Sequence, residues 1–406
     1  MGGSRSLTVT LETVTPLFLG GAEPRGAPEL RPPAFRGAMR YWLRALVGAA
    51  GEQVMRQHED HLFGVGGEQA TAGVVSLRLP ILQRAPTKSY SELVDKSPGI
   101  AYLWFAARGT KREPERYAIL PTTLFNLEMS FPRSKQPAQD LEQAVAVLWL
   151  LTRLGGIGTR SRRFAGGVQV AQVAEVHHNS LSIGDRLCVR STSPQELRDD
   201  ITNGIKIARH AFSIQQLANP APDQFDVLHP DRCQIFVLDQ SFDCWQDAVE
   251  KIGQTYQSFR ALRQPDYSVV KTAMTSGNDL QGTVKRAAFG LPIPFFYRSL
   301  GDRTAALQAE ERQGNNISKI DRRASPLWMR AVKLSNDKYA VVFTWFKSQF
   351  LPGNAQFLLT EGKQPDLHGR KLPNDQLIQI FLTERDLRNH SSLSDAGLSV
   401  LKVSLQ

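Results

Sequence analysis

The feature that most constrains this chain is a three-part run between residues 138 and 176. Ala138–Leu154 reads as a helix, and its longest apolar stretch, Val145–Leu151, has the length of a core segment and not of a membrane span. Val168–Val176 reads as a strand. Between them lies Gly155-Gly156-Ile157-Gly158-Thr159-Arg160-Ser161-Arg162-Arg163-Phe164-Ala165-Gly166-Gly167, where five glycines bracket three arginines and no acid intervenes. Glycine admits positive φ and lets another backbone come close. Arginine brings a planar fork that fits phosphate oxygens. Two readings follow: a flexible basic loop shaped to track a nucleic-acid backbone, or a solvated loop whose arginines pair with acids elsewhere in the fold.

The flanking pattern supplies the layers. Residues 7–14 alternate apolar and polar, as in a half-buried strand that Pro16 ends. Gly20-Gly21 opens a loop running to Pro33, and Ala34–Val47 reads as a helix with Pro32-Pro33 at its start. Phe35, Ala38, Met39, Trp42, Leu43 and Leu46 form its core face. Arg36, Arg40 and Arg44 recur every four residues on another face, and no acid lies between Glu29 and Glu52 to pair with them. Acids from elsewhere or a bound polyanion must offset their repulsion. Gly73–Leu79 and Tyr117–Phe131 read as strands. The order strand, helix, strands, helix, loop, strand suits an α+β fold with a ferredoxin-like, split βαβ sheet.

A second α+β unit begins near residue 185, giving expected domains 1–184 and 185–406. In it Ile235–Leu238 reads as a strand and Asp243–Leu262 as a helix capped by Asp243. Ser325–Leu334 and Tyr339–Phe346 read as paired strands, and Pro373–Leu387 as a last helix. Residues 264–324, rich in Gly, Pro, Arg and polar residues, read as a long insertion.

The net charge of +10 and the pI near 9.6 point to an anionic partner, most often nucleic acid. Cys188, Cys233 and Cys244 are odd in number and form no CxxC pair, which fits buried thiols in a cytoplasmic protein without a membrane partner.

Catalytic signatures are sparse. The glycine loop lacks the GxxxxGK[ST] and GxGxxG spacings. His58-Glu59-Asp60-His61 lacks the HExxH zinc pattern and reads as a surface polar cluster. His177-His178 on a strand would point to opposite faces. No histidine precedes His58, so the first strand and the arginine helix offer no imidazole for RNA cleavage. No cofactor or metal is expected. Two further basic stretches stand out. Lys285-Arg286-Ala287-Ala288-Phe289-Gly290-Leu291-Pro292-Ile293-Pro294-Phe295-Phe296 joins cations to aromatics that either stack on unpaired bases or form core. Arg322-Arg323-Ala324-Ser325-Pro326-Leu327 places two arginines before a strand.

These pieces, in this order, resemble a known family. Arg31–Arg44 (RPPAFRGAMRYWLR) resembles the first-helix motif of RAMP proteins, the repeat-associated subunits of CRISPR effector complexes. His61-Leu62-Phe63-Gly64 resembles the following LFG element, and Gly155–Gly167 the glycine-rich loop. Lys285–Pro294 and Arg322–Leu327 are similar to elements of the RAMP branch that caps the type III-B (Cmr) effector. The resemblance implies two tandem ferredoxin-like (RRM-like) domains. It implies a non-catalytic subunit at the head of a ribonucleoprotein, near the guide RNA 3′ end, contacting guide CRISPR RNA, target RNA and neighbouring RAMP subunits. By matched position it implies RNA contact at Arg36, Arg40, Arg44, Gly155, Gly156, Gly158, Arg160, Arg162, Arg163, Lys285, Arg286, Arg322 and Arg323. A guide-processing RAMP endoribonuclease, and a scaffold using its arginine faces for protein contacts, stay open as alternatives.

Overall fold

The computed structural model describes residues 6–68, 70–80, 85–176, 183–261, 263–314, 316–362, 364–387 and 389–406. His177 and His178 lie outside the described residues. The chain forms two compact units. The first takes residues 1–254, 328–346 and 399–406, and the second takes 255–327 and 347–398.

The first unit holds two four-stranded sheets. One is built from β1 (Ser6–Thr13), β2 (Ser76–Arg78), β3 (Leu124–Ser130) and β4 (Val168–Val176), in the spatial order β2-β3-β1-β4 with antiparallel neighbours. Leu7, Val9 and Leu11 alternate into the core from the central strand, with Leu11 opposite Phe125 on β3 and Val170 on β4. The period of two read from the sequence is thus the pleat of β1. The other sheet uses β5 (Cys233–Phe242), β6 (Leu327–Lys333), β7 (Tyr339–Phe346) and β8 (Val400–Lys402), in the order β6-β7-β5-β8. Each sheet therefore places its first strand between its third and its fourth.

Helices α1 (Pro32–Val47), α2 (Glu52–Phe63), α3 (Pro137–Leu154), α4 (Pro194–Ala211) and α5 (Trp245–Arg260) complete the framework. The helix read as Ala138–Leu154 is α3, which is buried along most of its length and packs on α1 and α4. Helix α4 escaped the sequence reading although its start carries a capping signal: the Ser193 hydroxyl accepts from the Glu196 N–H at 3.2 Å, and the Glu196 carboxylate accepts from the Thr192 N–H at 2.7 Å. Gly204 lets α4 approach α3 so closely that a Cβ there would strike the Trp149 ring. Residues from both sheets enter one hydrophobic core, which includes Val9, Trp42, Leu148, Ile205, Val237, Trp328 and Phe346.

The stretch 264–324 is not a loose excursion. It contributes a helix, Asp266–Ser276, and three strands, Ile293–Tyr297, Arg303–Gln313 and Asn316–Ile320, to the second unit. Ala355–Thr360 and Leu367–Gly369 complete a five-stranded sheet, with Leu307, Phe295 and Phe357 in a separate core. Residues 347–398, which the sequence reading left outside the insertion, belong to this unit. The last helix is Gln376–Thr383, shorter than expected. Of the three thiols, Cys233 is buried and the other two half-buried.

Candidate nucleic-acid interface

Helix α1 presents the arginine row as its spacing requires. Phe35, Met39, Trp42, Leu43 and Leu46 face the core, while Arg36 and Arg40 are half-buried and Arg44 is exposed. The acid missing from the local sequence comes from α2. Glu59, only 7% exposed, accepts on one oxygen from Arg40 Nε at 2.7 Å and from Arg44 Nε at 3.0 Å. Arg36 Nη2 donates to the Val75 carbonyl at 3.3 Å. Two guanidiniums thus share one carboxylate, the third is spent on a backbone carbonyl, and the face keeps a positive surplus. The His58–His61 stretch is a surface cluster only in part: Asp60 and His61 are exposed, whereas Glu59 is buried and His58 half-buried. Glu59 serves the arginines. His61 Nε2 meets Asp140 at 2.8 Å, and His58 packs edge-on against Phe212.

The glycine loop is corrected most. The expected flexible loop is a tightly bonded knot at the end of α3. Ile157 N–H donates to Gly166 O at 2.9 Å, Thr159 N–H to Phe18 O at 2.8 Å and Gly166 N–H to Pro16 O at 2.8 Å. Phe164 N–H reaches Met329 O on β6 at 2.9 Å, and the Thr15 hydroxyl donates to Phe164 O at 2.5 Å. The glycines serve close approach. Gly155 packs on the Trp42 indole, and Gly158 (φ +82°) packs on the Phe18 carbonyl. The physical reason for the difference is that glycine removes side-chain bulk as well as restraint, so backbone bonds can fill the space.

The three loop arginines separate accordingly. Arg163 is buried, with Nη1 on the Arg162 carbonyl at 2.8 Å, while its own carbonyl accepts from Trp104 Nε1 at 2.8 Å. Arg162 lies over the Trp328 ring at 4.6 Å and the Tyr41 ring at 5.2 Å, and its Nη1 is 3.5 Å from Asp226. Tyr41 donates to the same Asp226 carboxylate at 2.7 Å, and burial pushes its phenol well above the usual range, so it remains a donor. Arg160 is half-buried, takes φ +64°, and lies over the Phe105 ring at 4.4 Å. The loop and α1 are therefore one site, joined through Arg162–Tyr41 and Gly155–Trp42.

In the second unit the structure brings the other two basic stretches together. Leu291 and Arg323 form an antiparallel bridge, and Gly290 (φ +117°) leaves room for the Arg323 carbonyl. Lys285 and Arg286 donate their backbone N–H groups to the fully buried Asp266 at 2.8 and 2.7 Å. The Arg286 side chain turns inward over Phe295 and toward Asp266, and Arg323 spends its fork on Phe350 O, Ala324 O and Ser348 Oγ. Lys285 and Arg322 are exposed. Phe289, Leu291 and Phe295 are core, whereas Phe296 is exposed. Sequence reasoning missed Asp226 and Asp266, lone acids in loops or at a helix start, where no periodicity marks a partner.

Two antiparallel sheets with one repeated strand order, a glycine loop closing α3 and an arginine-faced first helix define a class. Residues 10–169 match the model of the RAMP superfamily. That span contains the first-helix motif, the LFG element and the glycine loop. Over most of its length the chain is similar to the CRISPR system Cmr subunit Cmr1-1 of Pyrococcus furiosus, 23% identical over 352 residues, covering 84% of this chain and 88% of that protein. Cmr1-2 of the same organism is 28% identical over 179 residues, 41% of this chain and 95% of that protein. The fold is similar to the crystal structure of Cmr1 from Pyrococcus furiosus in its apo form, with TM-score 0.54 and 21% identity, covering 86% of this chain and 90% of that one. It is also similar to a chain in the cryo-EM structure of the type III-B Cmr-beta bound to cognate target RNA and AMPPnP, in the presence of ssDNA. There the TM-score is 0.52 at 12% identity, with 85% and 96% of the two chains covered.

Proposed function

We propose that this chain is the non-catalytic, RNA-binding RAMP subunit that caps the head of a type III-B CRISPR ribonucleoprotein near the guide RNA 3′ end. The observation that carries the reading is the α1 face, where Arg40 and Arg44 converge on the single carboxylate of Glu59 and Arg36 beside them meets the Val75 carbonyl. A polyanion offsets the remaining repulsion, and single-stranded RNA supplies one phosphate per nucleotide. The similarity to Cmr1-1, and to a chain in Cmr-beta bound to target RNA, supports guide and target RNA as ligands and RAMP backbone subunits as protein partners. The two sheets, each with its first strand flanked by its third and fourth, support a tandem ferredoxin-like reading. In it the second domain begins near residue 185 and carries the second compact unit as an insertion.

Within this reading the candidate residues divide by role. Arg36, Arg40, Arg44, Arg160, Lys285 and Arg322 contact phosphate. Gly155, Gly156, Gly158, Arg162, Arg163, Arg286 and Arg323 hold the contacting elements in place. No helix among the described residues is long and apolar enough to cross a membrane, and a cytoplasmic location follows from the assembly.

Competition binding tests the reading. The expected result is that the chain prefers single-stranded RNA to duplex DNA and leaves repeat RNA uncut on product mapping. A defined cut moves the assignment to the guide-processing enzymes of the superfamily. A partner pull-down that survives ribonuclease, with no direct RNA binding, moves it to a protein scaffold.

A further inference from the structure

Phe105 has no place in the motifs, yet the fold displays it with care. The short helix Pro98–Trp104 is clamped at both ends. At its start the Gly99 and Ile100 N–H groups donate to the Glu250 carboxylate at 2.9 Å each, and Gly99 meets Gly253 of α5 so closely that a Cβ on either strikes the other's backbone. At its end Trp104 is fully buried between Phe18 and Trp245, and its indole N–H holds the Arg163 carbonyl of the glycine loop. The next residue turns outward: Phe105 is 53% exposed, beside Arg160 of that loop at 4.4 Å. Arg108, three residues on, is exposed, and its charge acts on the Tyr90 hydroxyl together with that of Arg160. An exposed aromatic ring on a rigid element, with cations around it, is the combination that holds unpaired bases: the ring stacks on the base and the cations take the phosphates.

We propose that Phe105 is a stacking platform for one unpaired nucleobase of single-stranded RNA, offering the ring face that Arg160 does not cover. Arg160 and Arg108 hold the adjoining phosphates. The assignment rests on the RNA-binding reading above and adds a base contact to its phosphate contacts. The platform accepts any base, since every base has a π-face.

The test uses the full chain and a labelled single-stranded RNA in which 2-aminopurine, quenched on stacking, is stepped along the strand. Phe105→Ala is expected to weaken binding about tenfold, the loss of one base–aromatic stack. It is also expected to abolish the quench at one step and to leave the salt slope unchanged. Phe105→Trp keeps both signals, and Phe105→Leu, which retains the apolar volume, behaves like Phe105→Ala. If Phe105→Ala fails to fold, the Leu and Trp variants decide. If Phe105→Leu binds and quenches like the wild type, the platform is wrong and the RNA-binding reading stands. If the wild type binds no RNA, both fall.

Discussion

Arg330, on strand β6, donates to the carbonyl of Gly155, the first glycine of the basic loop. The same guanidinium also serves Thr152 O and Val168 O, at 2.7 and 2.6 Å. One cation thus caps the end of α3, the start of the loop and the start of β4, where helix carbonyls have no intrahelical donor. Burial lowers its pKa to about 9, so the group stays charged at neutral pH. Arg330→Met leaves three buried carbonyls unmet. The expected loss is about 3 kcal/mol of unfolding free energy, read as a lower denaturant midpoint with unchanged slope.

The knot, and not mobility, explains the glycines, and Gly166 is the place to test this. It has φ +68°, and a Cβ there overlaps the Ile157 carbonyl. Gly301 has nearly the same φ, +67°, with open space around it. Gly301→Ala therefore costs about 1 kcal/mol, the left-handed backbone term alone. Gly166→Ala costs more than about 2 kcal/mol, because the loop must also move. Thermal melting of the two variants checks the difference.

Glu59 makes stability and affinity move in opposite directions. Glu59→Gln keeps a hydrogen-bond acceptor between Arg40 and Arg44 but removes the charge that holds them. Stability falls by about 1 kcal/mol, while affinity for single-stranded RNA at low salt rises. Equal or weaker RNA binding by a folded Glu59→Gln protein counts against phosphate contact at this face.

His58 gives a pH signature. Burial lowers its pKa, with a Gln143 hydrogen bond opposing and His61 and Asp140 nearby. The sign follows from linkage: a histidine depressed on folding binds fewer protons in the native state. The stability it confers is complete above the ordinary histidine pKa near 6.5 and is lost as pH falls through the native value. The melting temperature drops between pH 7.5 and 5.5, and His58→Gln shrinks that drop. An unchanged drop places the acid sensitivity elsewhere.

Much of the N-terminal part up to Val176 was legible because its signals are local. The pleat of β1, the amphipathic face of α1 and the limits of Val168–Val176 are period-two and period-3.6 patterns, and the structure reproduces them within a few residues. Tyr117–Phe131, read as one strand, is broken into Tyr117–Ile119 and Leu124–Ser130 where Thr122 takes φ +65°. The second unit was illegible because its sheet joins strands from 293–320 and 355–369, and such pairing leaves no periodic trace. At the site, arginine spacing revealed the α1 face, but residue type alone could not tell Arg160, beside an exposed ring, from Arg163, buried one turn later. That distinction depends on Phe105, Trp104 and Asp226, which lie far away in sequence.

The most direct measurement is fluorescence-anisotropy binding of a labelled single-stranded guide RNA across a salt series, comparing the wild type with Arg36→Ala/Arg44→Ala. This pair leaves the Arg40–Glu59 contact in place, so no buried carboxylate is orphaned. Each lost single-strand phosphate contact removes about 0.7 from the log–log salt slope, so the double variant should bind more weakly with a slope shallower by roughly 1.4. Equal affinity and slope for the two folded proteins would contradict the assignment of the α1 arginine face to RNA.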